Sequence, residues 1–230
     1  MIFDPFEIVD LTHTLSPEIP TWGGSCGYSL EIKRDYDDMF RVQKMVMHAG
    51  VGTHMDAPSH RFEDRACIAE IPLDELFVPA CVIDVSKKAH GDYELSVEDV
   101  EDYEKEHGMI PENSLVMIYT GWSRFWSDPD KYRNVNGDGH MHFPAVSGDA
   151  AKLFLERGVV GLAIDTISPD CLNPLFPVHE ILLGAGKYII ENVANGSKMP
   201  PKGGYVIACP LLAKGATESP MRLIGLIPKS

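Results

Sequence analysis

Gly52-Thr53-His54-Met55-Asp56-Ala57-Pro58-Ser59-His60 is the stretch on which the reading of this chain turns. Residues at i and i+2 of an extended segment face the same side. His54 and Asp56 therefore aim an imidazole and a carboxylate at one point. Those two donors together suit zinc or manganese. Pro58 interrupts a strand ladder and ends the extended run. His60 then falls on a turn beyond the pair, within reach of the same pocket, as a spare imidazole for proton transfer. Upstream, His48, Gly50 and Gly52 share the parity of His54 and Asp56. Bare glycines allow backbone to approach a ligand closely, and they also allow a bend that would break that parity.

A second cluster lies further along. Glu191 interrupts the apolar run 188–193, and a carboxylate at a strand end is costly to bury unless it is paired or bound to a cation. His179 precedes it at the start of a short helix that opens at Pro177 and closes at Gly184. Its neighbour Glu180 reads as a solvated or capping acid.

The bulk properties narrow the rest. At 230 residues, with 44% apolar and 23% charged residues, the chain suits one soluble domain over residues 1–230. A net charge of -14 argues against a nucleic-acid partner, which needs clustered Lys and Arg. No apolar run is long enough to span a bilayer, and the first residues show no basic, apolar signal pattern. Five scattered cysteines without a Cys-x-x-Cys motif point to a reducing compartment, hence the cytoplasm. No P-loop, dinucleotide fingerprint or Gly-x-Ser-x-Gly is present, which argues against a nucleotide enzyme or a serine hydrolase.

Val- and Ile-rich runs predict strands over 7–12, 41–48, 80–85, 115–119, 159–164, 187–192, 205–209 and 222–227. Ser96 to Asp99 reads as a capping box opening a helix that Gly108 closes, and Ser147 opens another that ends at Gly158. Residues 127–139 are polar and turn-rich and read as a surface loop. Strands recur throughout, so the expected class is α/β, a sheet-rich single domain. Trp22, Tyr28, Trp122, Phe125 and Trp126 are the candidate aromatic lining of a pocket, with Trp22 and Tyr28 preferred for substrate contact. The remaining histidines, 13, 90, 107, 140 and 142, read as surface or turn residues.

The run from Gly52 to His60 resembles the signature of a cyclase family that includes bacterial kynurenine formamidases and isatin hydrolases, His-x-Gly-Thr-His-x-Asp-x-Pro-x-His. Supporting likenesses are Asp10-Leu11-Thr12-His13, the 20–24 segment, Thr120-Gly121-Trp122, Gly161 to Asp165 with Ser168 and Asp170, and Gly215-Ala216 with Ser219-Pro220. The resemblance implies a swivelling β/β/α fold and a metal-dependent amidohydrolase acting on a non-peptide C–N bond. The expected substrates are an aryl formamide or a small cyclic amide, like N-formylkynurenine or isatin. It makes His54 and Asp56 ligands of one divalent ion, Zn²⁺ or Mn²⁺. His179 and Glu191 become ligands of a second ion bridged by Asp56, and His60 the catalytic proton carrier. It also implies a homodimer or homotetramer, with a small molecule as the only other partner.

One position departs from the signature. Its first histidine should stand at position 50, and this chain has Gly50. Either the strand holds a two-residue insertion and His48 reaches the ion, the reading taken here, or that ligand is missing and a one-ion site follows. Two further readings stay open: a metal-dependent cyclase or dehydratase, and a non-catalytic binding protein on the same fold.

Overall fold

The computed structural model describes residues 4–25 and 27–229; the Met1–Phe3 start and Cys26 lie outside the described residues. Among the described residues, twelve strands and four α-helices follow one another. The first strands are β1 (Phe6–Asp10), β2 (Ser29–Arg34), β3 (Val42–Val46), β4 (His54–Asp56), β5 (Phe77–Asp84) and β6 (Glu94–Leu95). Helix α1 (Val97–His107) leads to β7 (Leu115–Tyr119), α2 (Pro129–Arg133), β8 (Ala145–Val146), α3 (Gly148–Glu156) and β9 (Gly161–Ile164). Helix α4 (Pro177–Gly184) precedes β10 (Tyr188–Glu191), β11 (Gly204–Pro210) and β12 (Glu218–Pro228).

Eight strands form one sheet in the order β1-β12-β11-β5-β7-β9-β10-β4. A further pairing of β12 with β4 closes all but β1 into a ring. Strands β5, β7, β9 and β10 run parallel, with α1, α3 and α4 in the crossovers. Parallel strands covered on both faces read as continuous apolar runs. Leu115 and Met117 of β7 join the core enclosed by the ring, with Met55, Ala163, Ile190 and Leu223. Val116 and Ile118 face outward, where Phe154 of α3 and Val178 and Leu182 of α4 cover them. The sheet-rich α/β chain expected from sequence is therefore what is observed.

Helix α1 begins as expected. Ser96 accepts from the Asp99 amide, and the Asp99 carboxylate accepts from the Ser96 amide. Two expectations need correction. The polar stretch 127–139 contains α2, opened by Asp128, whose side chain accepts from the Lys131 amide. Strand β2 was not expected, because it and β3 form a hairpin exposed along its whole length, with no buried face to impose a period on the sequence. No helix among the described residues is long and apolar enough to cross a membrane.

Candidate metal centre

Strand β4 lies between β10 and β12, and its register sets the site. Glu191 of β10 and Pro220 of β12 pair with His54, while Ile189 and Glu218 pair with Asp56. Directly paired residues project to the same face of a sheet. Met55 points into the ring, so His54, Asp56, Glu191 and Glu218 all project outward, on the side covered by the helices. His179, in the first turn of α4, completes the group from above.

Each imidazole is oriented by a hydrogen bond on the nitrogen that faces away from the carboxylates. His54 Nδ1 lies 2.9 Å from the Gly52 carbonyl oxygen. A carbonyl only accepts, so the proton sits on Nδ1 and Nε2 is left to face Asp56 Oδ1 at 3.5 Å and Glu191 Oε2 at 3.4 Å. His179 Nδ1 lies 2.7 Å from Asp170 Oδ2, and its Nε2 faces Asp56 Oδ2 and Glu191 Oε1, each at 3.6 Å. Asp170 also accepts from the amides of Val178 and His179, donors that a helix start leaves unpaired. The same carboxylate thus caps α4 and fixes the ring.

Gly52 holds a left-handed backbone, φ +67°, and a Cβ there would meet Leu15 at 2.4 Å. Its carbonyl is further held by Asn192 Nδ2 at 2.9 Å, and Thr53 Oγ1 donates to the Asn192 carbonyl at 2.6 Å. Tyr132 donates to Asn192 Oδ1 from beneath. The donors thus sit on a buried, hydrogen-bonded base.

The donor set fits a divalent cation. Asp56 is 1% exposed, yet its Oδ1 finds no hydrogen-bond partner among the described residues. Two groups of donor atoms, each within 4.8 Å of one another, share Asp56: one with His54 and Glu218, one with His60 and His179. Burial pushes Glu191 well above the usual carboxylate range, and the nearby Asp56 charge adds to that. Burial alone would lower His179, but its bond to Asp170 and the facing Asp56 and Glu191 hold it up to about 10. Burial would likewise raise Asp56, and the His179 and His54 imidazoles outweigh it and bring Asp56 down.

These residues form the floor of a cavity of about 390 Å³. His60, on a 3-10 turn over Pro58–His60, sits at its wall, its side chain 35% exposed and its Nδ1 3.5 Å from Glu218 Oε2. Trp22 lines the same cavity, and its ring lies 6.0 Å from that of Phe176. Phe176 stands edge-on to His179 at 5.9 Å. Trp126 is elsewhere, stacked on His13 at 4.0 Å.

Besides Trp126, four residues singled out from sequence fall outside the cavity: Trp122 and Phe125, which pack with Tyr132 and Phe143, and His48 and Tyr28. His48 is exposed, its ring against Gly27, because the turn at Ala49–Gly50 and the left-handed Gly52 break the strand parity. Tyr28 is buried in a separate apolar cluster with Ile19 and Val51. In turn, the sequence reading assigned no role to Glu218, Asp170, Phe176 or Asn192. Glu218 stands between Gly215-Ala216 and Ser219-Pro220, and only the pairing of β12 with β4 brings it to Asp56. Phe176 adopts a left-handed φ of 49°, unusual for a bulky residue, just before α4; a carboxylate and an aromatic flanking that helix start were the available signals.

Residues 9–171 match the family model described as Putative cyclase. An isatin hydrolase of Roseibium aggregatum is 30% identical over 245 residues, covering 97% of this chain and 93% of that protein. A kynurenine formamidase of Bacillus mycoides is 27% identical, covering 94% of this chain and 95% of that protein. Among solved structures, isatin hydrolase A from Labrenzia aggregata bound to benzyl benzoate superposes with a TM-score of 0.92. It is 34% identical, covering 98% of this chain and 95% of that one.

Proposed function

The chain belongs to the Putative cyclase family, and from that premise we propose that it is a metal-dependent amidohydrolase opening the C–N bond of an aryl formamide or a small cyclic amide. The observation that carries this reading is the convergence of His54, Asp56, His179 and Glu191 on the floor of one aromatic-walled cavity. Relatives named isatin hydrolase and kynurenine formamidase support the substrate class.

His54, Asp56, His179 and Glu191 would hold one or two ions, Zn²⁺ or Mn²⁺, with one Asp56 oxygen turned toward each histidine. An ion bound there supplies Lewis acidity to the scissile carbonyl and to the attacking water. His60 takes the proton that the water loses as the C–O bond forms, and returns it to the leaving nitrogen as the tetrahedral adduct collapses and the C–N bond breaks. Trp22 and Phe176 flank the aryl ring and position the carbonyl above the floor. Asp170 keeps His179 aimed at the carboxylates throughout.

Hydrolysis of isatin and N-formylkynurenine by purified protein, with elemental analysis of the same sample, tests this reading. Turnover of either substrate, dependent on a stoichiometric divalent ion, is the expected result; no turnover of either with Zn²⁺ or Mn²⁺ supplied refutes it.

The assembly we assign is a homodimer or homotetramer. Its support is the β2–β3 hairpin, which leaves Leu30, Ile32, Met45 and Val46 47–51% exposed and has no covering layer of its own. A monomeric mass in sedimentation would exclude it. The four described free cysteines and the acidic charge suit a reducing, cytoplasmic setting.

A further inference from the structure

Position 50 is where this chain departs from the signature of its family, and the structure offers a reason. Gly50 lines the cavity, and its φ lies outside the left-handed region, so its backbone does not exclude a side chain. What a side chain there would have to displace is the carboxylate end of Glu218. A Cβ built on Gly50 would lie 2.1 Å from Glu218 Oε1 and 3.4 Å from His54 Nε2. The Glu218 carboxylate thus fills the space in which a position-50 side chain would begin, beside the nitrogen that His54 turns to the site.

We infer that Glu218 replaces the signature histidine as a ligand, so that His54, Asp56 and Glu218 form the first of two cation positions that share Asp56. The inference rests on the metal-dependent reading above. Two independent observations support it besides the cluster itself. Asp56 Oδ1, buried and without a hydrogen-bond partner, is an acceptor facing His54 Nε2. The β12–β4 register pairs Glu218 directly with Asp56, so both project from one face by construction and not through a flexible loop. His48, the other contender for the missing donor, points away against Gly27.

Exchanging imidazole for carboxylate changes what the position prefers. Oxygen donors suit harder ions such as Mn²⁺, whereas imidazole raises the relative affinity for Zn²⁺. The bare Gly50 then leaves room for the Glu218 carboxylate beside His54.

Equilibrium dialysis of the full-length protein against Mn²⁺ or Zn²⁺, read by elemental analysis, tests this directly. Wild type is expected to bind either ion. Glu218→Ala should weaken Mn²⁺ binding by about 10–100-fold or more, the range seen when even an outer partner of a ligand is lost, with the thermal unfolding transition retained. Gly50→His alone should also lose affinity, because its side chain starts against Glu218. The pair Gly50→His with Glu218→Gly should regain binding and raise the Zn²⁺-to-Mn²⁺ affinity ratio above that of wild type. Wild-type affinity in a folded Glu218→Ala protein overturns the inference and leaves the hydrolase reading intact. So does a double variant whose ion ratio matches wild type, which decides the matter if Glu218→Ala does not fold. A wild type that binds neither ion overturns both.

Discussion

His60 is the one histidine of the cluster with substantial access to solvent, and it is separated by Pro58 from the strand that fixes His54 and Asp56. That placement suits a group that moves protons and need not hold an ion. His60→Ala should lower turnover about 10²–10⁴-fold while elemental analysis finds the bound ion unchanged; parallel loss of ion would recast His60 as a ligand. Asp170 makes the opposite case. It touches no reacting atom, but it holds the His179 proton on Nδ1 and so leaves Nε2 to the site. Asp170→Ala should weaken ion affinity about 10–100-fold, measured by dialysis, with a smaller effect on turnover at saturating ion. The protons held by His179 and Glu191 have their own consequence. Both groups titrate above their ordinary values without an ion, so binding must expel protons. Calorimetric titration in buffers of differing ionisation enthalpy should report net proton release at pH 7, and affinity should rise with pH.

At the scale of the elements, α1 shows how local sequence is converted to stability. The Asp99 carboxylate accepts from the Ser96 amide, Ser96 Oγ and Tyr93 Oη, and pairs with Lys88. Partial burial raises it, but the Lys88 bond, the Ser96 amide and the hydroxyls outweigh that and bring it to about 2, below its ordinary 3.8. A lowered carboxylate stabilises the fold above its unfolded value and ceases to do so as pH falls through its folded value. Asp99→Asn should therefore be less stable than wild type at pH 7, with the gap closing between about pH 4 and pH 2 in chemical unfolding. Phe154 of α3, wholly buried against the outer face of the parallel strands, is the contrasting case. Phe154→Ala should cost about 3–5 kcal/mol at neutral pH.

These elements also show what could be read beforehand. The capping box of α1 and the apolar runs of the parallel strands are local signals, and they located α1, β5, β7, β9 and β10 within a few residues. His54, Asp56 and His60 stand out by their spacing, whereas His179 and Glu191, unremarkable taken alone, enter through the family resemblance. Glu218 was not, because its partner is distant in sequence and the pairing of β12 with β4 is a tertiary event. His48 misled because a two-residue insertion was expected to carry it to the ion, whereas the turn at Gly50 and the left-handed Gly52 direct it away. The β2–β3 hairpin carried no alternation because neither of its faces is covered within one chain.

For the whole molecule, the donors come from β4, α4, β10 and β12, so a bound ion would tie together segments that only the complete ring brings close. An ion that binds only the folded state adds RT ln(1 + [L]/Kd), about 2.7 kcal/mol at a hundredfold excess over Kd. Thermal unfolding with Mn²⁺ should thus occur at a clearly higher temperature than with a chelator, and equal midpoints would deny the ion any structural role. The strand that shuts the ring, β12, follows every other donor-bearing element along the chain. During translation the ribosome releases His54 and Asp56 long before β12 can reach them. A nascent or truncated chain lacking β12 cannot assemble the full pocket, and competence to capture an ion arrives only once β12 has left the exit tunnel.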